Sequence, residues 1–247
     1  MHQTFRLGLQ PGPALQERAR AARYNALGEW AAETGLAGIV TAHHADDQAE
    51  TLLMRLVRGA GVRGLAGMRE RSPLPGWPNC ILIRPLLQWR RSELAAIVAS
   101  AGLSPMQDPS NADLRFERVR IRTYLAKLPE VDALMLASSA SHLAEADAAI
   151  EWAAERALRS VERNGAAFLW MPGETPRAIV LRVLERIIAQ IGGPAPRGKA
   201  LSRWHDQLAA GKVATLAGVR GDGSKAQWRF MLAPLRRQAS DRGTNGP

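Results

Sequence analysis

The apolar positions of this chain change their spacing at one place. Gly38-Ile39-Val40 is a short continuous apolar run, the mark of a buried strand. Leu52, Leu53, Leu56 and Val57 then recur at the spacing of a core-facing helical stripe. Between the two stand His43, His44, Asp46 and Asp47, so a helix begins inside a cluster of titratable side chains. Asp46 is expected at its N-cap, with Asp47 and Glu50 in the first turn, where negative charge is favoured. Past Arg58, the glycines Gly59, Gly61, Gly64 and Gly67 predict a mobile backbone loop in place of further helix. Open α/β sheets hold their ligands where a strand meets such a helix start. This stretch is the expected site.

The flanking pattern supplies the frame. Residues 4–7 form a candidate strand, broken by Pro11-Gly12-Pro13, and residues 14–33 a helix ended by Gly35. Arg20 and Arg23 share one face of that helix. Spacing alone favours a solvated cationic stripe there over an anion contact. Pro73, Pro75, Gly76 and Pro78 predict a surface loop, residues 80–87 a buried strand leaving into a turn, and residues 90–101 a helix closed by Gly102. Residues 108–111 read as a tight turn. They lead into a helix over 114–128 that bears Arg115, Arg118, Arg120 and Arg122, too many for one face, so that some point at a ligand or phosphate.

Strand–helix alternation up to residue 129 predicts an α/β domain with a parallel sheet, followed by a mainly helical domain. Residues 131–163 read as one long Ala-rich helix or a helix pair, and residues 168–171 as a short strand. Thr175 is expected to cap a helix running to Gln190, with Pro176 at its first position. Residues 199–210 form a further helix, and residues 213–232 a hairpin turning at Gly221-Asp222-Gly223. The expected domains are 1–129, 130–212, and a small hairpin with a frayed polar tail over 213–247.

Composition narrows the class. The chain is long enough for a real core, no stretch is apolar enough to span a bilayer, and no secretory signal pattern opens it. A single cysteine, Cys80, excludes an intramolecular disulfide and suits a cytoplasmic protein. The formal charge of +10 points to a polyanionic partner such as nucleic acid, with a coding bias toward Arg as the bland alternative.

Three chemistries fit the His–carboxylate cluster. His43, His44, Asp46 and Asp47 are candidate metal ligands, but neighbouring positions on a strand face opposite ways and no HExxH-type spacing is present. A nucleotide site would carry Mg²⁺ mainly on phosphates. Asp47 and Glu50, at the helix start, could instead recognise a cationic amine. Helix capping explains Asp46 but not the whole group.

The run AHHADDQAETLLMRLVRGAGVRGLAGM closely resembles the signature of the tRNA(Ile)-lysidine synthase family. ARAARY at 19–24, IRPLL at 83–87, DPSN at 108–111 and RIRTYL at 120–125 follow the family's order, so the resemblance covers most of residues 14–128. It implies a PP-loop fold, Rossmann-like and related to the adenine nucleotide alpha hydrolases, with ATP and Mg²⁺ as cofactors. The implied partners are free L-lysine and the isoleucine tRNA with anticodon CAU, in the cytoplasm and without a membrane, and a homodimer is left open. The implied reaction adenylates C2 of the wobble cytidine; the ε-amine of lysine then displaces AMP to give lysidine, which moves decoding from AUG to AUA.

By resemblance, Asp47, His44 and Arg23 would form the catalytic group. Asp47 and Glu50 would hold the lysine ammonium, and Arg122 its carboxylate. His43, Arg20, Arg120, Gly59 and Gly61 would surround the nucleotide and its phosphates. Arg58, Arg63, Arg115 and Arg118 would meet the tRNA. The family's SGGxDS phosphate loop is absent from the sequence, and Val119 stands where the family usually has Asn. A start assigned too late is the favoured explanation, ahead of a gene remnant or a separate polypeptide supplying the missing half. The absent loop puts the activity of the chain by itself in question and raises an alternative, a non-catalytic tRNA-binding fragment or subunit. A tRNA thiolase of the same fold would need paired cysteines, and Cys80 is alone.

Overall fold

The computed structural model describes residues 2–106, 113–196 and 198–234; the turn expected at 108–111 and the polar end of the chain lie outside them. Two compact units divide the chain, one up to Asp147 and one from Ala148 on. The division falls within the long helix Ala133–Leu158, later in the chain than residue 129.

The first unit begins with α1 (Leu15–Thr34), closed by Gly35 in the left-handed region, and β1 (Gly38–Val40). Next come α2 (Ala45–Val57) and a single turn α3 (Val62–Leu65), then β2 (Arg71–Leu74) and β3 (Trp77–Ile83). The helices α4 (Arg91–Ser100) and α5 (Glu117–Leu125) lead into α6 (Ala133–Leu158), whose first part belongs here. The sheet has the order β1-β3-β2. β1 lies parallel to β3, with Ile39 opposite Leu82, and β2 returns antiparallel. Tyr24, Ala31, Ile39, Leu74, Cys80 and Leu82 form its core, so α1 packs on the sheet through one face. Gly28 lets the helix approach: a Cβ there would lie 2.3 Å from the Trp77 ring.

Several expectations change. Residues 4–7 form no strand, because no described strand pairs with them and the Leu7 carbonyl accepts the Leu9 N–H in a local turn; Phe5 stands edge-on to Trp30 at 6.2 Å. The proline-rich loop is the β2–β3 hairpin, in which Pro73 and Pro78 sit near the bend and on positions exposed to solvent. The α2 stripe also shifts by one face. Ala45, Gln48, Ala49 and Leu52 are buried, while Leu56 and Val57 are exposed, because small residues let α2 lie close to its neighbours.

In the second unit, the remainder of α6 is followed by β4 (Glu162–Asn164), β5 (Ala167–Trp170), α7 (Arg177–Ile191) and α8 (Gly198–Ala209). Then come β6 (Val213–Leu216), β7 (Val219–Asp222) and β8 (Trp228–Leu232). All neighbouring strands pair antiparallel in the order β4-β5-β8-β7-β6. Val180, Val183, Leu184, Ile187 and Ile188 on α7, with Leu201, Trp204 and Leu208 on α8, cover one face against Trp170, Val219, Trp228 and Phe230. The expected terminal hairpin is thus three strands of a larger sheet. Its β6–β7 turn is Ala217-Gly218, both at positive φ. Gly221 lies inside β7, where a Cβ would come within 2.7 Å of the Trp204 ring. α7 begins at Arg177 with Pro176 as its N-cap and no side-chain cap hydrogen bond, so Thr175 does not cap. No helix among the described residues is long and apolar enough to cross a membrane.

Candidate active site

The expected site does form at the C-terminal end of β1, but its carboxylates divide their work. His44, not Asp46, is the N-cap of α2, and its backbone N–H donates to Asp47 Oδ2 at 3.1 Å. Asp46 reaches across and accepts the backbone N–H of Arg91 at 2.8 Å, at the start of α4. Its geometry thus serves a different helix from the one it belongs to. Glu50 lies one turn beyond the first, not within it.

Glu50 is only 2% exposed. It accepts from Arg118 Nε and Arg122 Nε, each at 2.6 Å, and Asp47 Oδ1 accepts from Arg118 Nη2 at 2.9 Å. Two guanidiniums on one turn of α5 therefore close on two carboxylates three positions apart on α2. A buried carboxylate is tolerated only with such partners. This arrangement fixes α5 on α2, and both arginines also line an open cleft.

That cleft has a volume of about 600 Å³ and is lined by Arg20, Arg23, Arg55, Arg58, Arg118 and Arg122, with no carboxylate in its wall. Arg20 and Arg23, both exposed to solvent, thus also line this cleft, and Arg20 stacks over Tyr24 at 4.9 Å. Burial, followed by the charge of Arg20, holds the Arg55 pKa below its usual value. Six cations line a hollow with no carboxylate in its wall, an arrangement chemically able to receive phosphate oxygens.

His43 stands beside this group, with Nδ1 2.8 Å from the Thr41 hydroxyl. Burial lowers its pKa from 6.5 to about 4; Asp47 opposes the shift, and Arg84, Arg20 and Arg118 add to it. The ring is therefore neutral at physiological pH. His44 places Nε2 3.4 Å from Asp47 Oδ2 and Nδ1 3.5 Å from Asp46 Oδ2.

The glycine stretch is more tightly held than its composition suggests. Arg55 Nη1 donates to the carbonyls of Gly64 and Gly67 at 2.7 and 3.2 Å. The Gln48 amide clasps Met68 at both its N–H and its carbonyl. At Gly67, φ is +64° and a Cβ would lie 2.5 Å from Gln48 Oε1, so only glycine fits. The stretch is an ordered strap. Asp147, buried on α6, receives Arg69 at 2.8 Å and faces Arg63 at 3.9 Å.

Of the remaining arginines, Arg58 pairs with Glu117 at the cleft rim. Arg115 is bonded to Asp113, and Arg120 donates to the carbonyls of Leu114 and Arg115, so the cleft does not gather these two. Gly59 and Gly61 sit at the start of the strap. Gln48, Arg55, Arg84 and Asp147 were not singled out from sequence. Their partners lie nine to seventy-eight positions away, and only the place of Gln48 and Arg55 on α2 hinted at them.

A model of the PP-loop domain family matches residues 3–128. A tRNA(Ile)-lysidine synthase of Novosphingobium aromaticivorans is 55% identical over 98% of this chain and 74% of its own length. The proteins of the same name from Zymomonas mobilis and Bradyrhizobium diazoefficiens are 40% and 37% identical, over 92% and 98% of this chain and 70% and 75% of theirs. With the domain matched across the first unit and these relatives aligned along nearly the whole chain, the protein belongs to the tRNA(Ile)-lysidine synthase family of PP-loop proteins.

Proposed function

We propose that this chain is a tRNA(Ile)-lysidine synthase, using ATP to join free lysine to C2 of the wobble cytidine in the CAU-anticodon isoleucine tRNA. The observation that carries the reading is the acid-free arginine cleft bordered by Asp47 and Glu50. Adenylation of the cytosine O2 spreads negative charge over the α-phosphate as pyrophosphate departs, and fixed cations stabilise that charge best. Arg20, Arg23 and Arg58 supply it from α1 and α2, and Arg118 and Arg122 from α5. Arg118 and Arg122 hold their orientation through Glu50, which acts as a positioning residue.

Lysine must reach C2 with its ε-amine unprotonated. In this reading Asp47 receives the ammonium, and neutral His43, or His44 beside it, takes the proton as the amine attacks. Magnesium would travel on the ATP phosphates, since no group of three or more His, Cys, Asp or Glu among the described residues could hold a metal. No step is therefore routed through a protein-bound ion.

The test is transfer of labelled lysine to a transcript of that tRNA. Label that depends on ATP and is lost on changing the CAU anticodon supports the ligase. Retention of the tRNA without label transfer would instead support the non-catalytic binding reading.

A further inference from the structure

Arg84 leaves the end of β3 and is 5% exposed. Its Nη1 donates to the Arg69 carbonyl at 2.7 Å and the Ser72 hydroxyl at 3.2 Å. Its Nε is sealed from solvent and has no partner, and Nη2 makes no hydrogen bond to the described residues. Among those residues no carboxylate comes within ion-pair distance of the guanidinium. The contrast within the unit is clear: Arg118 and Arg122 meet Glu50, and Arg69 meets Asp147. A buried charge is stable when an opposite charge satisfies it, and carbonyl and hydroxyl dipoles do so only in part.

Arg84 lines a separate cavity of about 200 Å³, shared with Gln48, Met68, Glu70, Gln88 and Ser141. Met68 also lines the arginine cleft, so the two hollows adjoin at the backbone clasped by Gln48. Arg69 lines the cavity as well but is held by Asp147, and both ends of the Gln48 amide are engaged, so Arg84 is the charged donor left to bind. Gln88 and Ser141 are exposed and offer further donors at the rim. The volume suits one compact group and excludes a nucleotide, and Glu70 at the rim disfavours a highly charged polyphosphate.

We propose that Arg84 and this cavity form a binding site for a compact oxyanion, a single carboxylate or phosphate group, distinct from the arginine cleft. The site stands whether or not the lysine-transfer reading holds.

The sealed Nε–H of Arg84 exchanges slowly with water and provides the reporter. Its resonance is identified in nitrogen–proton correlation spectra of the full chain by its loss in Arg84→Lys. Sodium phosphate and sodium acetate are then titrated separately at constant ionic strength, with chloride as the control. A saturable shift with a dissociation constant on the order of 1 mM is expected for at least one of them. Response to phosphate alone assigns a phosphate ligand, and response to acetate alone assigns a carboxylate. Ser141→Phe fills the cavity from an exposed position and should abolish the shift; Gln88→Trp does the same from another element should the first variant fail to fold. A resonance unmoved by both anions, moved equally by chloride, or still shifting in the filled variants overturns the proposal.

Discussion

Glu50 and His43 carry the electrostatics of the site at the scale of single residues. Glu50→Gln removes the charge that two guanidiniums share while keeping the side-chain shape. It is expected to cost about 3 kcal/mol in chemical denaturation, since breaking one side of a buried ion cluster leaves the other side unpaired. Transfer of lysine should fall with it, as Arg118 and Arg122 lose their orientation. His43 gives a pH dependence of definite sign. Its folded pKa of about 4 lies below the ordinary 6.5, so between these values the unfolded chain binds the extra proton. Stability is therefore full above pH 6.5 and lost as pH falls toward 4. After discounting for the ring's partial exposure, the loss is about 1–2 kcal/mol. His43→Asn should flatten that part of the pH–stability curve; an unchanged slope would place the titration on another group. The sequence motif located both residues, but it could not reveal that Glu50 already has partners, because Arg118 and Arg122 are brought to it by tertiary packing.

Among the elements, the strap between α2 and β2 is the sharpest case. Four glycines imply a pliable backbone, and this is what sequence alone predicted. Fixed contacts from Arg55 and Gln48 and the one-turn helix α3 hold it in place instead. The glycines are consequently not equivalent. Gly67→Ala forces a side chain into positive φ and against the Gln48 amide, and should cost about 1–3 kcal/mol. Hydrogen exchange at the Met68 amide, which donates to Gln48 Oε1, should accelerate with it. Gly61→Ala, at a φ of −81° with nothing within 4 Å of its Cβ, should leave both unchanged. If the two variants behave alike, the clasp is not what orders the strap. In the second unit, β4 and the joining of the expected strand and hairpin into one sheet escaped the sequence pattern for another reason. Each strand is three to five residues long, and β5 finds β8 across the two intervening helices, a pairing that local periodicity does not encode.

For the whole molecule, the net charge of +10 turns into a salt dependence. Binding of tRNA should weaken linearly in log–log form as salt rises, by a slope of about 0.9 per neutralised phosphate. Arg23→Ala, in the cleft wall, should lower that slope by about one contact, whereas Arg115→Ala, whose guanidinium is engaged by Asp113, should change it less. Equal effects would mean that the cleft does not receive the RNA backbone. The α/β plan and the placing of the His–carboxylate cluster at the end of β1 were both legible, because the strand–cluster–helix run carries them in consecutive residues. Asp46 shows where that legibility has consequences. In a survey of variants scored by growth, Asp46 and Asp47 would look equally intolerant. Yet the Asp46 carboxylate holds the first turn of α4, while that of Asp47 faces Arg118. Loss at the first should deplete the amount of enzyme in the cell, and loss at the second the output of each molecule that remains.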